Sequence, residues 1–156
     1  MDIHREIWKQ PASPRRRLLF GYGTLRRDVG PESSPPDNAY SLGYGTIPGR
    51  MHILASRWAG VIPPQLVPQE EVQRIRGEVW FLMGSLEDHY WKLNQREGYH
   101  EGRDTGRYIR RTVRVAMDDG GHHDASVYYV NPEYWRGVTE PYHSGDWLDW
   151  VREKHA

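Results

Sequence analysis

Two extended runs around one turn, between Tyr108 and Val130, constrain this chain more than any other stretch. In YIRRTVRVAM (Tyr108 to Met117), Ile109, Val113, Val115 and Met117 share one face, and Tyr108, Arg110, Thr112 and Arg114 share the other. Asp118-Asp119-Gly120-Gly121 is a hairpin turn, and Ala125 to Val130 (ASVYYV) is the partner strand. A chain that carries this hairpin is committed to a sheet. Arg111 interrupts the apolar face, so a bulge or a sheet edge is expected there. Leu18-Leu19-Phe20 reads as a buried strand running into a glycine turn, and Ile75 to Met83 (IRGEVWFLM) as another strand. Tyr40 to Ala55 is extended in character, broken by Pro48-Gly49. Asp28 to Asn38 and Ser56 to Gln69 are proline-rich and read as loops, the first with room to move, and His100 to Gly106 is a polar loop.

Two helices complete the pattern. Ser85 is a natural N-cap with Asp88 three residues on, and Leu86, Tyr90 and Leu93 recur at helical spacing. A short helix is therefore expected over about Leu86 to Arg96, with Gly98 as its C′ residue. Trp147, Leu148, Trp150 and Val151 predict a final helix. Met1 to Arg17 reads as a flexible leader with Trp8 as a docking side chain, and residues 18–156 as one domain with no internal linker. Strands dominate over two short helices, which indicates an α+β fold with a curled or closed sheet.

Composition narrows the function. The 156 residues carry 21 basic and 21 acidic side chains, so no general nucleic-acid footprint exists. Arg15–Arg17 is the one basic run and reads as a solvated flank. Only 37% of residues are apolar, yet seven Trp and ten Tyr supply the bulk that disordered chains lack. Cysteine is absent, which removes disulfides, zinc–thiolate sites and a cysteine nucleophile, and fits a cytoplasmic setting. No apolar run approaches the ~20 residues of a membrane span, and the N-terminus lacks a signal-peptide core. His122-His123 lies beside a Gly-Gly turn without a metal-ligand spacing, and no GxSxG is present, so no metal or cofactor is expected.

The tetrapeptide GYGT occurs twice, at Gly21–Thr24 and at Gly43–Thr46. Similarity does not extend beyond it, so the chain is not an internal duplication. The first copy follows an apolar strand. There Gly23 lets a ligand approach the backbone, and successive N–H groups can cradle a carboxylate. A tight structural turn is the alternative from those residues alone. Tyr22–Leu25 (YGTL) opens an ordered series: Gly49–His52 with Ala59–Ile62, Ile75–Trp80, Leu93–Tyr99 (LNQREGY), Tyr108–Val115, Val127–Tyr128 and Ser144–Trp147 (SGDW). In order and spacing this series resembles the γ-glutamylcyclotransferase-like (AIG2-like) family over about Leu18 to Trp150. The resemblance assigns the first GYGT to the family's substrate loop and leaves the second as a coincidence on a strand.

The resemblance implies a small mixed β-barrel with flanking short helices. It also implies a cofactor-free enzyme that converts a small γ-glutamyl compound to 5-oxoproline and releases an amine or amino acid. Tyr22, Gly23, Thr24 and Leu25 match the loop that grips the glutamyl group, and Glu97 matches the catalytic glutamate, a general acid–base. Tyr108 and Arg110 match the family's YxR, and Tyr128 or Tyr129 lies on the partner strand; a pocket lining and a purely structural Tyr–Arg face both stand open for them. Asn94 and Arg96 depart from the family pattern, which has Asp and an apolar or aromatic residue there. Arg96 beside Glu97 keeps a second reading in view, a non-catalytic module of the same fold that binds a small carboxylate-bearing ligand. A third, an interaction protein using Arg15–Arg17 and the Trp-rich tail, lacks a supporting charged patch elsewhere.

Overall fold

A computed structural model describes residues 14–101, 103, 105–137 and 139–155. Among them the order is β1 (Leu18–Gly21), β2 (Ala39–Leu54), β3 (Trp58–Ile62), β4 (Gln73–Leu82), α1 (Leu86–Glu97), β5 (Tyr108–Met117), β6 (His122–Val130), β7 (Thr139–Pro141) and α2 (Trp147–Lys154), with three single-turn 3₁₀ segments in the loops. The hairpin forms as expected, with Tyr108 opposite Val130 and Ala116 opposite His122. β2 pairs antiparallel with β4, and β4 with β1. β1 runs parallel to β6, and β5 returns to β2 at Gly45↔Met117 and Thr46↔Ala116. The ring β2-β4-β1-β6-β5 thus closes into a five-stranded mixed barrel through a short β2–β5 seam.

Strand alternation sorts the barrel's two faces. Phe20, Ile47, Ile75, Val79, Val115, Val127 and Tyr129 belong to one buried cluster, capped by Trp147 of α2. Their chain neighbours Leu19, Trp80, Tyr128 and Val130 belong with Tyr108 to a second cluster, which α1 covers with Tyr90 and Leu93. α1 begins at Ser85, whose hydroxyl accepts from the Asp88 N–H, and stops at Gly98 in the left-handed conformation (φ 64°). No helix among the described residues is long and apolar enough to cross a membrane.

Several expectations are corrected. β2 is not broken at Pro48-Gly49 but continues for 16 residues. Pro48 pairs with Arg74 on one side and lies between the residues that meet β5 and those that meet β3 on the other, where no second neighbour asks for its N–H. Ser56–Gln69 is not all loop, because Trp58–Ile62 forms β3 against the end of β2. Arg111 causes no bulge, since it pairs in register with Val127 and is buried, but the expected edge is there: β5 meets β2 only at Ala116 and Met117, so at Arg111 it is paired on one side alone. The second GYGT is on a strand, but its glycines have work to do. Gly43 (φ 109°) sits at a register shift, and a Cβ on Gly45 would lie 2.6 Å from the Ala116 carbonyl at the closing seam.

Arg15–Arg17 is not a purely solvated flank. Arg17 donates to the Leu82 and Gly84 carbonyls at 2.7 and 2.8 Å, and Arg15 lies 3.6 Å from Glu101. The leader's first thirteen residues, Trp8 among them, lie outside the described residues.

Candidate active site

The strand β1 ends in a turn that folds onto itself. A Cβ on Gly21 would lie 2.6 Å from the Leu25 Cβ, and one on Gly23 would lie 3.0 Å from the Ala59 Cβ, so both close approaches require glycine. The loop is anchored from outside by its carbonyls and side chains. Arg26 N–H donates to the Gly23 carbonyl at 3.0 Å, Ser34 N–H to Thr24 at 2.6 Å, and the Trp80 indole to Leu25 at 3.0 Å. Tyr22 Oη donates to the Tyr128 carbonyl at 2.6 Å. The N–H groups of Gly23, Thr24 and Leu25, in contrast, have no partner among the described residues. A loop in which the Gly23, Thr24 and Leu25 carbonyls are satisfied while their N–H groups have no partner among the described residues is suited to an anion.

Glu97 is the last residue of α1, and Gly98 sets where the helix ends. The carboxylate keeps 16% of its side-chain surface accessible. Burial pushes its pKa up; Arg96 and Arg107 pull it down by less, so the net shift is upward. Arg96 is mostly committed elsewhere. Its Nη1 donates to the Ser34 carbonyl and hydroxyl at 2.7 and 3.0 Å and its Nη2 to Thr24 Oγ1 at 2.8 Å, while its Nε stands 3.7 Å from Glu97 Oε1. This arginine therefore ties the helix end, the Tyr22–Leu25 loop and the 28–38 segment together.

A cavity of about 200 Å³ joins these parts. Tyr22, Gly23, Thr24, Leu25, Glu97, Tyr108 and Tyr128 all line it. Arg110 does not. It is fully buried behind the wall, 2.5 Å from Glu101, with its guanidinium over the Tyr90 and Tyr99 rings. Its Nη1 also donates to Asn94 Oδ1 at 3.2 Å, the atom that accepts the Tyr128 hydroxyl at 2.7 Å. The Tyr108 hydroxyl donates to the Ala59 carbonyl at 2.9 Å. Burial raises the pKa of Tyr22, Tyr108 and Tyr128, with Glu97 adding to each, so all three stay neutral and their hydroxyls serve the wall.

Sequence reasoning missed Arg107 and Trp135 as lining residues, whereas Trp58 and Ala59 fall in the Arg57–Gln69 stretch against which it laid the substrate's tail. Arg107 adjoins the matched Tyr108, so adjacency to a matched motif was the available signal for it. Among the described residues no cluster of His, Asp or Glu could hold a metal ion.

The sequence model of the family described as "Gamma-glutamyl cyclotransferase, AIG2-like" matches residues 19–149. No curated protein matches the chain. Among solved structures, YkqA from Bacillus subtilis is 22% identical with a TM-score of 0.57 over 94% of this chain and 44% of that one. The chain thus spans less than half of that protein's length. An aig2-like protein from Mus musculus is 17% identical with a TM-score of 0.55, over 86% and 88% of the two chains. A structure named gamma-glutamyl cyclotransferase is 14% identical with a TM-score of 0.50, over 89% and 86%. At such identities the structural likeness is one of fold. The family match spans the loop, Glu97 and the closed barrel that carries them, and the chain belongs to the γ-glutamyl cyclotransferase, AIG2-like, family.

Proposed function

We propose that the protein cyclises a γ-glutamyl compound to 5-oxoproline and releases an amine or amino acid, with Glu97 as the general acid–base. One observation carries this reading: three loop N–H groups without a partner among the described residues and a carboxylate with a raised pKa line one small cavity. The N–H groups of Gly23, Thr24 and Leu25 hold the substrate's α-carboxylate. Glu97 as carboxylate takes a proton from the α-ammonium group, and the freed amine attacks the γ-carbonyl carbon of the same molecule. Nucleophile and electrophile are already tethered, which supplies a high effective molarity. A new C–N bond closes the five-membered ring. The protonated Glu97 gives its proton to the leaving nitrogen as the old C–N bond breaks. The ring nitrogen sheds its second proton as the released amine becomes ammonium, so protons balance.

A pKa lifted toward neutrality suits both halves of that shuttle. The tyrosine hydroxyls are bound elsewhere in the wall and are not assigned to the carbonyl oxygen. A soluble, cytoplasmic setting and a small-molecule substrate belong to the same proposal. The test is 5-oxoproline release from a panel of γ-glutamyl amines, amino acids and dipeptides. Release by the wild type that falls at least ~100-fold in Glu97→Gln is expected for a lost general acid–base. Equal release from both proteins would refute the role of Glu97. Ligand binding without release from any member would favour a non-catalytic binding module.

A further inference from the structure

The cavity lining divides into two parts. The Tyr22–Leu25 loop and Glu97 account for a glutamyl head, and the remainder includes Trp58, Ala59, Arg107 and Trp135. Trp135 is buried, and its indole N–H donates to the Arg107 carbonyl at 3.0 Å, which fixes the ring. Trp58 is 45% exposed, with its ring centroid 6.2 Å from that of Trp135 at 53°. The two indoles thus touch and present one apolar wall. That wall starts beside the loop, because Ala59, next to Trp58, lies against Gly23. At about 200 Å³ the cavity is below the ~300–1,000 Å³ of pockets for drug-sized ligands, so a substrate tail must leave past half-exposed Trp58. Its charge is one-sided: Arg96 and Arg107 line it, and Glu97 is the one acidic side chain among the described lining residues. Arg57 adds a third cation, 5.4 Å over the Trp58 ring.

We propose that Trp58, Trp135 and Arg107 form the leaving-group subsite, and that it selects an aromatic amino acid with a free carboxylate over a cationic amine. The aromatic ring packs on the indole wall, and the carboxylate meets Arg107. An ammonium tail would face guanidinium groups, and the one acidic lining side chain, Glu97, is engaged by the substrate's own α-amino group. The inference rests on the cyclotransferase reading of the same cavity.

Two measurements separate the claims. Release of 5-oxoproline from γ-glutamyl-phenylalanine, γ-glutamyl-alanine, γ-glutamyl-phenethylamine and γ-glutamyl-putrescine tests the reaction and ranks the tails. Calorimetric binding of the same four compounds to Glu97→Gln ranks them without turnover. The phenylalanine compound is expected to exceed the alanine compound about tenfold in kcat/KM, and the putrescine compound by more. Trp58→Ala should bring phenylalanine down to alanine, and Arg107→Gln should erase its advantage over phenethylamine. Release with putrescine equal or superior to phenylalanine, or a ranking unmoved by both variants, overturns the subsite while the reaction stands. No release, with the binding order as expected, overturns the reaction and supports the wall. Loss of both overturns both.

Discussion

At Glu97 burial and charge oppose each other, and burial wins. With its folded pKa raised, the native state binds more protons than the unfolded chain between the two pKa values. Stability therefore falls as pH rises through that window, and above it the buried carboxylate is a standing cost. Glu97→Gln should melt higher than the wild type near pH ~8, with the gap closing as pH drops below the usual carboxylate range near ~4. Thermal melts across pH check this; a gap independent of pH would contradict it. Arg96 works against the upward shift while holding Thr24 and Ser34. Arg96→Met should move the acid limb of the kcat/KM profile to higher pH. It should also raise KM roughly tenfold through the slackened loop. A profile that stays in place would leave Arg96 with a structural role only.

Among elements, α1 and the β5–β6 hairpin were legible because their signals are local. Ser85 and Gly98 bracket α1, and Asp118–Gly121 joins the two strands. β3 was not legible, for a specific reason. It follows a tight turn in which the Arg57 N–H donates to the Leu54 carbonyl at 3.0 Å, and whose central residues Ala55 and Ser56 have φ of 51° and 59°. This is a type I′ geometry, which usually announces itself as Asn-Gly. Here neither residue gives that signature, and the prolines after Ile62 make the stretch read as loop. The double substitution Ala55→Asn, Ser56→Gly should relieve the positive-φ strain and stabilise the protein by about 1 kcal/mol, or about 2–4 °C in Tm. Urea and thermal unfolding read the change; a loss of stability would mean that the side chains contribute more than the backbone strain costs.

On the scale of the whole molecule, Arg26 is a joint between the loop, the 28–38 segment and the C-terminal helix. It is fully buried, paired with Asp28 at 2.8 Å and Asp146 at 2.7 Å, and Asp146 also caps α2 through the Leu148 N–H. Arg26→Met should destabilise by about 2–3 kcal/mol. That is less than the ~3–5 kcal/mol of breaking a fully buried pair, because both aspartates retain solvent. Burial alone would raise the Asp28 pKa, but Arg26 outweighs it and holds the carboxyl below its usual value. This contribution is present above the unfolded pKa and is lost as pH falls through the folded one. Chemical unfolding at neutral and acid pH should show the cost of Arg26→Met shrinking in acid. A cost unchanged by acid would assign it to packing.

The sequence by itself determined the alternation of β5 and β6, the strand that carries Glu78 and Val79, the glycine that ends α1 immediately after Glu97, and the family. These depend on residues a few positions apart, where propensity and capping act. Tertiary structure alone decided which of those residues meet. Tyr22 reaches Tyr128 across 106 positions, and the barrel closes where Gly45 and Thr46 come against Met117 and Ala116. That closure brings the Tyr22–Leu25 loop to Glu97, turns Arg110 to the back of the wall, and recruits Trp58, Arg107 and Trp135 to the mouth. No local pattern encodes such meetings, because a side chain's neighbours in a closed sheet are set by strand register and not by distance along the chain.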